Sequence, residues 1–104
     1  MRALILSDIH ANLEALEAVI EGAQGQGSFD TIWNLGDLVG YGPDPEACID
    51  LIREFDLVSV AGKHDHAAVV LIDVSYFNDF ARFAADCTYA QLNSKLRESL
   101  VACP

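Results

Sequence analysis

Apolar residues follow two rhythms along this chain. Short unbroken runs read as strands: Arg2 to Ser7 with Ala-Leu-Ile-Leu inside it, Phe29 to Leu35, and Leu57 to Ala61. The first run is continuous rather than alternating, which predicts a sheet covered on both faces. Between the runs, apolar positions recur at helical spacing. Leu13, Leu16, Ile20 and Ala23 mark one buried stripe, with Asn12 as its cap and Glu14 and Glu17 near its positive end. Gly22, Gly25 and Gly27 fray the far end of that helix. Cys48, Leu51, Ile52 and Phe55 mark a second stripe, opened by Asp44 as cap and Pro45 in the first turn.

Beyond Gly62 the rhythm loosens. Gly62 turns the chain into Lys63-His64-Asp65-His66, read as a loop. Ala67 to Asp73 fits a helical turn or a short strand. Asn78 caps a third helix running to about Leu92, with Phe80, Phe83, Ala84 and Cys87 facing inward, and Ser94 to Val101 predicts another short helix. No repeat, low-complexity tract or linker interrupts the 104 residues, so residues 1–104 are expected to form one domain. Strands alternating with helices over short links predict right-handed crossovers and a parallel sheet of the α/β class.

Charge narrows the partners. Sixteen acids against six bases give a net charge of −10, which argues against non-specific nucleic-acid binding and against an anionic membrane surface. A phosphorylated substrate stays open, because bound cations reverse the sign of a site locally. The apolar run at Ala3 to Leu6 is too short for a signal-peptide core or a spanning helix. Cys48, Cys87 and Cys103 are odd in number and form no Cys-x-x-Cys pair, which favours buried small side chains over a metal or redox role. A cytoplasmic location is expected.

The chemistry gathers where the strands stop. Asp8 and His10 follow the first run, Asp37 the second, and His64, Asp65 and His66 the third. The carboxyl edge of an open parallel sheet is where ligands sit. Asp8 and His10 are separated by one residue, so in an extended strand end both point the same way and can hold one metal. Asp37, from the neighbouring strand end, can share its oxygens between two metals about 4 Å apart. Taken singly, Asp8 also reads as a helix cap, His10 as a satisfied loop histidine, and Asp37 as a turn residue. Between the second run and second helix, Gly36, Gly40 and Gly42 with Pro43 and Pro45 forbid regular structure.

Three segments, Ser7-Asp8-Ile9-His10-Ala11-Asn12, Gly36-Asp37-Leu38-Val39-Gly40-Tyr41 and Gly62-Lys63-His64-Asp65, together resemble the calcineurin-like metallophosphoesterase family. Its motifs are Asp-x-His, Gly-Asp followed by a Gly or Tyr, and Gly-Asn-His-Asp/Glu. The Gly-Tyr-Gly-Pro-Asp-Pro extension is similar to small stand-alone prokaryotic members. The resemblance implies the parallel-sheet N-terminal half of a four-layer α/β/β/α sandwich. It also implies a dinuclear site of manganese, iron, zinc or nickel, at which a metal-bound hydroxide hydrolyses phosphomonoesters or phosphodiesters. Asp8 and His10 would then bind the first metal and Asp37 would bridge both. His64 would protonate the leaving group or steady the transition state, with Asp65 orienting it.

Two departures accompany the resemblance. Lys63 stands where the family has the Asn that ligates the second metal, and the family's later Gly-His-x-His has no counterpart in these 104 residues. An incomplete domain is therefore expected, with self-association through its uncovered sheet face. The expected partner is a phosphorylated small molecule, nucleotide or phosphoprotein. The alternative is a non-catalytic phosphate- or nucleotide-binding remnant of the same fold. A generic nucleotide-binding α/β domain is disfavoured, because no Gly-rich phosphate loop follows the first strand.

Overall fold

The computed structural model describes residues 1–68 and 78–92. Its elements run β1 (Ala3–Leu6), α1 (Leu13–Gly25), β2 (Thr31–Asn34), α2 (Pro45–Ile52), β3 (Leu57–Ser59), α3 (Lys63–Ala68) and α4 (Asp79–Gln91). The three strands form one parallel sheet in the order β1-β2-β3, with Leu4 beside Ile32 and Ile32 beside Leu57. This is the α/β class read from the alternation of runs and stripes.

Strand order and handedness decide where the helices go. Both crossovers step in the same direction across the sheet, so right-handed connections put α1 and α2 on one face. The core lies there. Leu16 and Ile20 of α1 and Cys48, Ile49 and Ile52 of α2 join Leu38, Val39 and Leu92, and Leu4, Leu6 and Leu57 of the sheet pack against them. The opposite face carries the alternate residues, Ile5, Trp33 and Val58, which lie side by side in register and are 56%, 38% and 61% exposed. Leu35 and Val60 extend that apolar row. The continuity of the first run predicts cover on both faces; among the described residues only one face is covered.

Several local expectations are corrected. Asn12 caps α1 as predicted, its side chain accepting from the Ala15 N–H at 3.1 Å. Asp44 occupies the cap position of α2 but makes no side-chain capping bond, so Pro45 and the sheet-facing stripe start that helix instead. The third strand stops at Ser59, and His64, Asp65 and His66 stand on α3 rather than in a loop. Asn78 does cap α4, bonding the Ala81 N–H at 2.8 Å. Its inward stripe, however, is Ala81, Ala85 and Thr88, while Phe80 and Phe83 are 85% and 72% exposed. Small residues let α4 lie close against α2 and α3, which the large phenylalanines would prevent. Most of Ala67 to Asp73, all of Ser94 to Val101, and Cys103 lie outside the described residues.

Candidate metal centre

The chain leaves each strand into a loop that carries one part of the site, and those loops are laced together by their backbones. After β1, the N–H groups of Asp8, His10 and Ala11 donate to the carbonyls of Gly36, Asp37 and Leu38 at 3.0, 3.0 and 2.9 Å. The pairing of β1 with β2 is thus continued past both strands by irregular backbone. This shape is costly. Asp8, His10, Ala11, Asp37 and Tyr41 all have positive φ, a region that non-glycine residues rarely adopt. Backbone strain of order 1–3 kcal/mol per residue persists only where the surroundings over-determine it, and such residues cluster at functional sites.

Two glycines make the close approach feasible. A Cβ on Gly62 would overlap the Asp37 carboxylate, and Gly40, at φ 93°, lets the loop after β2 pass directly over His64. Asp65 then pins the two loops. Its buried carboxylate accepts from the Val39 N–H at 2.9 Å and the Gly62 N–H at 3.0 Å. Burial raises its pKa, opposed by those backbone donors and by that of Leu38. Asp65 thus makes its contacts to backbone, tying the turn before α3 to the loop above it.

Asp8, His10 and Asp37 come together as the sequence predicts. One ligand atom from each lies within 4.8 Å of the others. His10 Nδ1 sits 3.2 Å from the Val39 carbonyl, which can only accept, so that nitrogen carries the proton. Nε2, the other ring nitrogen, faces Asp8 Oδ1 at 3.4 Å. An imidazole nitrogen and a carboxylate oxygen at that separation can be bridged by a proton or by a metal ion, and a backbone carbonyl behind the imidazole is the usual support of a metal-ligating histidine. The other oxygen of Asp8 is held by the Ser7 hydroxyl at 2.6 Å, which, with His10 and against desolvation, keeps the Asp8 carboxyl below its ordinary pKa. Asp37 Oδ1 accepts from the His64 N–H at 3.0 Å. The donor set fits a divalent cation on its exposed side.

His64 and Tyr41 complete the surroundings. The His64 ring is buried against His10 at 5.0 Å between centroids and against Tyr41 at 4.7 Å. Burial pushes its pKa down, partly countered by the Asp37 charge. Lys63 begins α3 with its side chain exposed. Tyr41 lies within the second motif but spacing assigns it no role, and nothing in the spacing marks the Ser7 hydroxyl or the Val39 carbonyl. Only the glycines flanking Tyr41 hint that its backbone is special.

Known proteins are similar to this chain. The family model described as calcineurin-like phosphoesterase matches residues 1–99. An uncharacterized protein of Methanocaldococcus jannaschii is 42% identical over 80 residues, which is 77% of this chain and 32% of that protein. A symmetrical bis(5'-nucleosyl)-tetraphosphatase of Psychromonas ingrahamii is 33% identical over 67 residues, 62% of this chain and 24% of that one. The solved metallophosphoesterase of Sphaerobacter thermophilus is 47% identical with a TM-score of 0.81, covering 100% of this chain and 42% of its own. The chain thus spans less than half the length of each of these relatives, and its sheet matches the expected half of the sandwich. With the strand-end carboxylates and imidazoles where the motifs place them, this chain belongs to the calcineurin-like phosphoesterase family.

Proposed function

We propose that this chain carries the ligand-bearing half of a metal-dependent phosphoesterase. The observation that supports it most is the facing pair of His10 Nε2 and Asp8 Oδ1, with Asp37 beside them and the His10 proton held on Val39. Asp8, His10 and Asp37 would hold a divalent cation: manganese, iron, zinc or nickel. Such an ion supplies positive charge to a phosphoryl oxygen and acidifies water at neutral pH. Lys63, which offers donors only, leaves a second ion without that ligand, so this chain is proposed to bind one.

The protein's own residues do the remainder. In hydrolysis, water oxygen bonds to phosphorus, the ester P–O bond breaks, and the departing oxygen takes a proton. His64 is the group proposed to give that proton or to steady the transition state, and it needs hydrogen-bond reach of the leaving oxygen. Asp65 sets where His64 stands, through the start of α3. The substrate class is a phosphomonoester or phosphodiester of a small molecule, nucleotide or protein, and the nucleosyl tetraphosphatase relative favours nucleotides. The free thiols of Cys48 and Cys87 fit a cytoplasmic setting.

The test is turnover of bis(4-nitrophenyl) phosphate with added Mn²⁺. The reading expects slow hydrolysis that EDTA stops and that Asp37→Ala lowers by at least about 100-fold, in line with loss of a principal electrostatic element. Inorganic phosphate binding with no turnover would instead support the non-catalytic alternative.

A further inference from the structure

The five strained non-glycine residues divide by what they do. Asp8, His10 and Asp37 are the candidate ligands. Ala11 is fully buried and its backbone is engaged on both sides, donating to Leu38 O and accepting from the Asp44 N–H. Tyr41 remains. Its φ of 64° is an outlier for a bulky side chain, and it is secured from behind by the Gly42 N–H on the His10 carbonyl at 3.0 Å. The same backbone device that aims the ligands therefore aims an aromatic ring.

That ring touches both histidines. It meets His10 edge-on, with centroids 5.2 Å apart and planes at 70°, and lies tilted on His64 at 4.7 Å and 46°. His10 and His64 meet at 5.0 Å and 88°, so the three rings close a triangle. Yet Tyr41 is 53% exposed, and its hydroxyl has no hydrogen-bond partner among the described residues. A ring placed only for packing would gain from burial, and strain is an unusual means of keeping one in water.

We infer that Tyr41 determines specificity: its exposed ring is the platform on which the aromatic or heteroaromatic alcohol part of a phosphoester stacks. The inference rests on the phosphoesterase reading above. Its geometric basis is the position of His64. The leaving oxygen must come within reach of that imidazole, and the alcohol's first ring is attached to that oxygen, which puts it beside Tyr41. Stacking on an aromatic side chain tolerates any flat ring, so the class is aryl esters, whose ring is bonded directly to the leaving oxygen, rather than one compound. The ring, not the hydroxyl, is the recognising element.

The experiment uses two probes that cannot be hydrolysed, phenylphosphonate and methylphosphonate, titrated calorimetrically into the Mn²⁺-loaded chain. Phenylphosphonate should bind about tenfold more tightly than methylphosphonate, the lower end of what one stacked ring contributes. Tyr41→Phe should keep that ratio. Tyr41→Leu, which keeps apolar bulk, should bring it close to one by weakening the phenyl probe. A wild-type ratio near one overturns the inference. So does a Leu variant that keeps the ratio or weakens both probes equally, the latter marking a structural role. If neither probe binds the loaded protein, the phosphoester reading itself fails and this inference with it.

Discussion

Asp65 shows how much a single side chain can settle. It is 1% exposed, and its two oxygens join the loop after β2 to the turn after β3. Asp65→Ala leaves the Val39 and Gly62 N–H groups without that acceptor, and an abandoned buried donor costs about 1–3 kcal/mol. A loss of roughly 2–6 kcal/mol in urea unfolding of the metal-free chain is expected from the two together. A loss below about 0.5 kcal/mol, the range of a surface change, would show that the loops hold without it. At the same scale, Cys48 illustrates a residue whose chemistry is silenced by position. Burial, then the nearby acids Asp44, Glu14 and Glu17, push its thiol up to about 11. It serves as a small apolar side chain in the core.

Among the elements, the helix starts separate residues that act from residues that merely stand in the right place. Asn12 bonds the N–H of Ala15, whereas Asp44 makes no side-chain capping bond. Asn12→Ala is therefore expected to lower stability by about 1 kcal/mol and Asp44→Ala by a few tenths. Equal losses in parallel denaturant melts would contradict that difference. The contrast also explains what could be read from the sequence. The strand runs and first two helix stripes are legible because parallel pairing and amphipathic burial leave direct patterns in apolar spacing. The strand-end positions of Asp8, His10 and Asp37 follow from the same pattern, whereas His64 stands on α3, which the pattern does not show. The face of α4 is not legible this way. Its contacts are made by Ala81, Ala85 and Thr88, and close packing of small residues carries no hydrophobic signal, while Phe80 and Phe83 give a misleading one. Nor does spacing reveal that the loop backbone turns to positive φ at Asp8, His10 and Asp37, since only tertiary hydrogen bonds enforce it.

The described residues form one sheet, with the core helices α1 and α2 on one side and a candidate ligand cluster at its carboxyl edge. Ile5, Trp33, Leu35, Val58 and Val60 form an apolar row on the other side, and the chain spans 42% of the Sphaerobacter thermophilus metallophosphoesterase. Among the described residues, no helix is long and apolar enough to cross a membrane. Strain, glycine contacts and the Asp65 staple all converge on the edge where Asp8, His10 and Asp37 meet. The central claim is that this edge is built for a cation. Its most direct test is a calorimetric Mn²⁺ titration of the metal-free chain beside His10→Ala and Asp37→Ala. The account predicts one site per chain in the native sequence and its loss in both variants. Binding that is absent from the native chain, unchanged in the variants, or satisfied only by two tightly held ions would contradict it.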